Sequence, residues 1–265
     1  MLDIILIILL IIYLILTFKK KESFSNLEYK PTLKINEDSL DKFYSFIYDD
    51  LYDTINLNTD TAKTIIPYLN NNSNVLCVGS KNGHILQLLS KCNKITGLES
   101  SRFFVEKSKK KYNDLEVVYG NYQNIKLFSN NKFSHILISL FIVHTYDDLN
   151  YFFTIYYNWL IHYGYIFITY FDGWQDYYEN INLNPSPHFS MNYDFKINIK
   201  EEPNGIILNE IIKNKNGKIK HKTLWNYNNI TLEKLIYIGS LKGFKFIKNV
   251  KLKGNLNICI LKKNN

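Results

Sequence analysis

From Asn74 to Phe171 the sequence alternates between short apolar segments and segments in which apolar residues recur at helical spacing, and no other feature constrains the fold as strongly. Short apolar runs bounded by polar residues or glycine are typical of buried strands. Strands are predicted at residues 75–78, 94–98, 116–119, 133–141 and 165–171, and helices at 85–89, 102–112 and 147–160. Because buried strands joined by helices form parallel pairs, we expect an α/β fold with a mainly parallel sheet covered on both faces.

Residues on either side of this region extend the predicted domain to 38–265. Before it, helices are predicted at 38–57, with Asp38 or Ser39 as the N-cap, and at 59–69. After it, residues 174–205 are aromatic, contain prolines and are interpreted as an insertion or lid. The remaining predictions are a hairpin of strands 206–212 and 219–225, a helix 232–241 capped by Thr231, and antiparallel strands 246–252 and 256–261.

The N-terminal segment predicts a membrane anchor over residues 1–18. Residues 4–18 are apolar except for Thr17, and the run from Leu2 to Phe18 would extend about 25 Å as a helix, close to the ~30 Å of a hydrocarbon core. Lys19 to Lys21 follow it and begin a polar linker, 19–37, so the positive-inside rule predicts a single-pass protein with its domain facing the cytosol. A cleaved signal peptide is the alternative, but neither a basic start nor an Ala-x-Ala site is present.

Charge and cysteine content narrow the possible partners. The net charge is +8, but Arg102 is the only arginine and the lysines are scattered, which makes nucleic acid an unlikely partner. The three cysteines include no Cys-x-x-Cys pair, so neither a metal site nor a disulfide framework is predicted. The predicted partners are therefore the lipid bilayer and a small-molecule or membrane-associated substrate.

A glycine-bearing loop and a later acid carry the clearest chemical signal. Gly79 and Gly83 follow the first strand of the alternating region, and Glu99 ends the next one, 20 residues after Gly79. In nucleotide-binding α/β folds, such a loop lets a cofactor approach the backbone, and the acid accepts hydrogen bonds from ribose hydroxyls. The residues alone therefore predict a nucleoside-containing cofactor, although both glycines and the acid could instead serve only the turn and the helix N-terminus.

The motifs resemble those of the class I S-adenosylmethionine-dependent methyltransferases. Matching segments occur in the family's order and are VLCVGSKNGHIL, ITGLESSRFFVEKSKKK, VVYGNYQNI, KFSHILISLFIVHTYDD and WLIHYGYIFITYF. Three positions depart from the family pattern, since Cys77 and Asn121 replace acids and Lys81 replaces a loop glycine. The resemblance implies a Rossmann-like sheet with antiparallel C-terminal strands and S-adenosylmethionine as the cofactor.

The resemblance also implies site residues. It assigns cofactor binding to Gly79, Ser80, Gly83, Glu99, Asn121 and Tyr122. For an acceptor that must lose a proton, the candidate catalytic residues are His144 and Asp172, although a histidine at this position can also lack a catalytic duty. An acceptor pocket or lid is a further hypothesis for Tyr170, Asp172, Trp174, Tyr177 and His188.

The expected function is methyl transfer from S-adenosylmethionine to an acceptor near a membrane. The departures from the motifs leave open an inactive, membrane-anchored binding or structural protein with the same fold. A nicotinamide-dependent dehydrogenase ranks last, because its loop requires a glycine where Lys81 stands. Tyr44 and Tyr48 on the first predicted helix could cover the cofactor, but packing is the favoured interpretation in so tyrosine-rich a chain.

Overall fold

A computed structural model describes residues 33–35, 40–51, 54–90, 94–139, 141–172, 186–252 and 256–265, with the side chains of 54–56 excepted. The predicted anchor and residues 19–32 and 36–37 of the predicted linker lie outside the described residues, as do Trp174 and Tyr177. None of the helices in the described ranges combines the length and apolarity that crossing a bilayer requires. Residues Leu33–Asn265 form one compact unit.

Seven strands form the main sheet. Its members are β2 (Asn74–Val78), β3 (Lys94–Glu99), β4 (Glu116–Tyr119), β5 (Phe133–Ile138), β6 (Leu160–Phe171), β10 (Phe244–Lys251) and β11 (Leu256–Lys263). They lie in the order β10-β11-β6-β5-β2-β3-β4. The pairs among β2 to β6 are parallel, and β11 is antiparallel to both β6 and β10. The predicted α/β class, the mainly parallel sheet and the antiparallel C-terminal pair are confirmed.

Seven α-helices accompany the sheets in the described residues. They are α1 (Lys42–Leu51), α2 (Thr54–Ile65), α3 (His84–Ser90), α4 (Arg102–Lys111), α5 (Leu149–Trp159), α6 (Pro187–Asn192) and α7 (Leu232–Leu241). The predicted helix 38–57 overlaps α1 and the start of α2, and the predicted caps Asp38 and Ser39 lie outside the described residues. Asp41 precedes α1, and its Oδ1 accepts a 2.7 Å hydrogen bond from the Tyr44 amide, as an N-cap does.

The central strands bury side chains on both faces, as a parallel sheet requires. In β2, Leu76 and Val78 pack in the cluster that contains α5 and α7 residues, whereas Val75 and Cys77 pack in the cluster that contains residues of α2, α3 and α4. All four side chains are fully buried. The sheet thus has a continuous apolar core on each face, and polar side chains that could bind a ligand are expected at the ends of its strands.

A second sheet of four strands packs against α1. It contains β1 (Lys34–Ile35), β7 (Tyr193–Glu202), β8 (Gly205–Asn214) and β9 (Ile219–Asn228), in the order β1-β9-β8-β7. The predicted hairpin corresponds to β8 and β9, but β1 falls within the predicted linker, and α6 and β7 fall within the predicted insertion. The sheet's apolar face and α1 share one core cluster, which places α1 beside the C-terminal ends of the main strands.

Candidate functional site

A cavity lies where strands β2, β5 and β6 end, close to the first helix. Its walls include Tyr48 and Asp49 of α1, Gly79, Ser80 and Asn82 of the loop after β2, and Ser139 and Thr169 near the ends of β5 and β6. The carboxyl ends of parallel strands are where α/β sheets bind ligands. The cavity measures about 60 Å³, which is room for roughly four waters at ~15 Å³ each.

The two predicted loop glycines have different roles. Gly79 has a φ of +73°, and a Cβ there would lie 2.9 Å from Ile142 Cγ1, so only glycine leaves the backbone open at the cavity wall. Gly83 has a φ of +79°, and a Cβ there would lie 2.2 Å from the Ser108 hydroxyl of α4. Gly83 therefore serves the packing of the loop on α4, and only Gly79 borders the cavity.

Glu99 ends β3 with its carboxylate fully buried. Its Oε2 accepts a 2.8 Å hydrogen bond from the Lys81 amide, and its Oε1 accepts a 3.0 Å bond from the Ser101 amide. A carboxylate has about four acceptor positions, so each oxygen retains one after these bonds. The acid thus ties the glycine-bearing loop to the start of α4 and still has capacity for further donors, although Glu99 itself is not among the residues that line the cavity.

Two residues of the cavity wall carry a buried polar atom with no hydrogen-bond partner among the described residues. They are Ser80, through its hydroxyl, and Asn82, through Oδ1, and both residues are at least 97% buried. Buried polar atoms are nearly always paired, so a ligand or an ordered water that reaches these two atoms would satisfy them. Ser80 was predicted from the sequence, whereas Asn82 was missed although it lies in the same motif.

Asn121 and Tyr122 follow β4 but do not belong to the described cavity wall. The Asn121 side chain is exposed and accepts a 2.8 Å hydrogen bond from the Gln123 amide, which closes its own turn. Tyr122 is 2% exposed within the core, and its hydroxyl lies 3.3 Å from Thr145 Oγ1. The Tyr122 side chain packs in the core, and the cofactor contacts expected of Asn121 and Tyr122 stay predictions.

His144 is a structural residue rather than an available base. It is fully buried, its Nδ1 lies 2.9 Å from the Asn228 carbonyl oxygen, and its Nε2 accepts a 3.0 Å hydrogen bond from the Phe171 amide. These contacts require a proton on Nδ1 and a lone pair on Nε2, so the neutral ring has no free nitrogen. Burial lowers the His144 pKa to about 4, only partly opposed by the Asn228 carbonyl. The catalytic assignment is corrected on these grounds.

The residues proposed for an acceptor pocket or lid occupy different surroundings. Asp172 is exposed at the end of β6, so its catalytic assignment stays a prediction. Tyr170 is buried in the core, and its hydroxyl donates to Asn249 Oδ1 at 3.2 Å, which is a packing role. His188 lies on α6, where its Nδ1 is 3.7 Å from Oδ2 of Asp50.

The first helix supplies two wall residues that the motifs do not contain. Tyr48 packs edge-on against the Phe104 ring with centroids 5.2 Å apart. Burial raises the Tyr48 pKa, and the nearby charges of Asp49, Glu99 and Glu210 raise it further. Tyr48 therefore remains a neutral phenol close to acids from three different elements. Asp49 was missed by sequence reasoning, because only the folded chain brings it to the loop.

Both the sequence and the fold resemble those of known proteins. Residues 76–168 match the family model described as a methyltransferase domain. Among solved structures, an S-adenosylmethionine-dependent methyltransferase from Clostridium acetobutylicum is 13% identical, with a TM-score of 0.64 over 84% of this chain and 97% of that chain. The chain has the fold of the class I methyltransferases.

Two further structures support the same fold. A protein from Pyrococcus horikoshii is 14% identical, with a TM-score of 0.66 over 84% of this chain and 99% of that chain. An amino pentose methyltransferase from Micromonospora echinaspora, solved with S-adenosylmethionine bound, is 12% identical, with a TM-score of 0.55 over 84% of this chain and 97% of that chain. A comparison with curated protein sequences gives no match. S-adenosylmethionine is the cofactor that the matched domain and these methyltransferase structures support.

Two of the three residues that depart from the methyltransferase motifs lie at or next to β2. Cys77 is a residue of β2, between the neighbouring strands β3 and β5, and it is fully buried among apolar residues. Lys81 has a φ of +49°, and its ammonium lies 5.3 Å from the centroid of the Phe104 ring. Cys77 therefore acts as a core residue, and the Lys81 charge interacts with an aromatic face.

Proposed function

We propose that this chain binds S-adenosylmethionine at the carboxyl ends of β2, β3 and β5 and transfers its methyl group to an acceptor. The observation that carries this proposal is the Glu99 carboxylate, which two backbone amides fix beside the glycine-bearing loop with acceptor capacity to spare. The cofactor supplies a sulfonium methyl group that is already a strong electrophile. The protein's task is then chiefly to position the two reactants.

The described residues fit such a cofactor in type. Glu99 would accept the ribose hydroxyls, Gly79 leaves the backbone accessible, and Ser80 has an unused acceptor. Because Tyr48 and Asp49 line the same cavity, we expect α1 to contact the bound cofactor.

No proton-transfer step is assigned to His144, whose two nitrogens are already bonded. Asp172 remains the proposed group for an acceptor that needs deprotonation, because its carboxylate is exposed at the end of β6. The apolar segment at residues 4–18 leads us to propose a membrane anchor, a cytosol-facing domain and a small-molecule or membrane-associated acceptor.

Calorimetry with S-adenosylmethionine tests the proposal on the full-length protein in a mild detergent. We expect saturable binding that Glu99→Ala weakens at least tenfold, because charge-assisted hydrogen bonds to the sugar are lost. Glu99→Gln keeps one acceptor oxygen and serves as the milder variant if Glu99→Ala does not fold. Glu106→Ala changes an exposed acid on α4 and should leave binding unchanged.

Absence of binding at millimolar cofactor would contradict the transferase proposal. That outcome would favour the second candidate, a membrane-anchored binding or structural protein with this fold, for which the replaced acid at Cys77 and the loop Lys81 are the supporting observations.

A further inference from the structure

The cavity has an acid that the methyltransferase motifs do not supply. Asp49 of α1 lies in the cavity wall, and its Oδ1 accepts a 2.8 Å hydrogen bond from the Asn82 side chain of the loop. This joins a residue of the first helix directly to the loop after β2. The following inference rests on the proposed binding of S-adenosylmethionine.

The strand itself cannot provide a negative charge at this place. Cys77 is 0% exposed and packs among apolar side chains, and burial raises the pKa of its thiol to about 12, so it stays neutral. A ligand with a positive charge at the loop therefore needs an acid from another element.

Residues of the cavity wall carry acceptors of the kind that an ammonium group needs. Ser80 Oγ and Asn82 Oδ1 lie just beneath the wall without a hydrogen-bond partner among the described residues, and Asp49 lies in the same wall. An ammonium has three N–H donors and no acceptor, so three oxygens from three side chains are what it requires. A neutral apolar ligand would leave the two buried oxygens unpaired at a cost in affinity.

We propose that Asp49, together with Ser80 and Asn82, binds the ammonium group of the cofactor's methionine moiety in place of the acid that Cys77 replaces. Asp49 acts as a cofactor-binding residue contributed by α1.

Two lysines of α4 complete the surroundings of Asp49. Its Oδ2 lies 3.1 Å from the ammonium of Lys111 and 3.7 Å from that of Lys107. Burial by itself would raise the Asp49 pKa, but the Asn82 hydrogen bond and the two lysine charges lower it below its ordinary value. The lysines thus hold the carboxylate ionised on its Oδ2 side, while Oδ1 retains acceptor capacity towards Asn82. They also offer a competing explanation, since they could attract the methionine carboxylate instead.

A panel of four ligands separates these roles by titration calorimetry on the full-length protein in a mild detergent. S-adenosylmethionine has the ammonium, the carboxylate and the sulfonium charge, its decarboxylated form lacks the carboxylate, S-adenosylhomocysteine lacks the sulfonium charge, and 5′-methylthioadenosine lacks all three. We expect Asp49→Asn to weaken binding of the first three about tenfold or more and to change binding of the fourth less than about twofold. Asp50→Asn is the matched control, because Asp50 neighbours Asp49 on α1 but contacts Ser186, and all four affinities should stay within about twofold.

Each other outcome overturns the inference in a recognisable way. Equal weakening of all four ligands by Asp49→Asn means that Asp49 only holds α1 in place. An effect on S-adenosylmethionine that disappears with the decarboxylated ligand means that the methionine carboxylate and the lysines carry the contact. An effect that disappears with S-adenosylhomocysteine means that Asp49 acts on the sulfonium and not on the ammonium. Wild-type binding with no effect of Asp49→Asn overturns the inference alone, whereas failure of the wild type to bind any of the four overturns the proposed function as well.

Discussion

The buried imidazole of His144 makes the stability of the protein depend on pH in a way that can be calculated. Burial lowers its pKa from 6.5 to about 4 in the folded protein. Between these two values the unfolded chain binds one more proton than the folded chain, so this group lowers stability as pH falls. At about pH 5 the difference amounts to roughly 2 kcal/mol, from 1.5 pH units below the unfolded value at about 1.36 kcal/mol each.

Replacement of His144 by Asn tests this reasoning. The variant keeps a donor for the Asn228 carbonyl but leaves the Phe171 amide unpaired, so we expect a loss of roughly 1–3 kcal/mol at neutral pH. Because the variant has no group to protonate there, it should not lose the additional ~2 kcal/mol between about pH 7.5 and about pH 5. The wild type and the variant should thus become more similar in stability as the solution is acidified.

Urea unfolding followed by tryptophan fluorescence measures both quantities, since Trp159 is fully buried. His162→Asn, an exposed position on β6, is the control and should keep the wild-type pH dependence. Parallel stability curves for the wild type and His144→Asn across this pH range would refute the structural role of the imidazole and return it to the candidate bases.

Two further predictions concern packing and capping. Gly83→Ala should lower the free energy of unfolding in urea by about 2 kcal/mol or more, because the new Cβ meets the Ser108 side chain. Gly217 has a similar φ of +77° but no atom within 4 Å of its Cβ position, so Gly217→Ala should cost only about 1 kcal/mol. Equal losses for the two variants would contradict the predicted clash. Lys263→Met should lower the free energy of unfolding by about 2 kcal/mol in the same assay, because Lys263 is only 2% exposed and its ammonium donates to the Tyr157 and Leu160 carbonyl oxygens at the C-terminal end of α5. Lys262→Met is the control and should cost little. A loss for Lys263→Met no larger than that for Lys262→Met would show that these hydrogen bonds contribute nothing to stability.

The main sheet could be predicted because each of its elements is specified by adjacent residues. The apolar run at Val75 to Val78 and the Gly79 that ends it describe a strand and a turn without reference to the rest of the chain. The missed strand β7 had a comparable signal, since Tyr193, Phe195 and Ile197 alternate with exposed residues. The neighbouring prolines and aromatic residues favoured a lid instead, and the hairpin partner that decides the matter, β8, lies further along the chain.

The candidate site could be predicted only where its residues belong to the motifs. The sequence placed Gly79 and Glu99 at the right strand ends, but residue type alone suggested a catalytic His144. The hydrogen-bond partners of His144 show that both of its nitrogens are occupied, and one partner, the Asn228 carbonyl, is 84 positions away in the sequence. Hydrogen bonds of that separation leave no periodic signal, so sequence reasoning had no means of finding them.

Contacts between distant parts of the chain also bear on Cys77, which the sequence could identify only as a departure from the family pattern. A carboxylate at the Cys77 position would need hydrogen-bond partners inside an apolar cluster, whereas a thiol packs there without any. Asp49 reaches the same loop from a helix that is partly open to solvent, and two lysines offset the cost of its burial. With the proposed acid on the helix, the apolar cluster around Cys77 stays free of charge and the cavity keeps a carboxylate in its wall. The departure from the motif is therefore compatible with a working cofactor site, provided that α1 is in place.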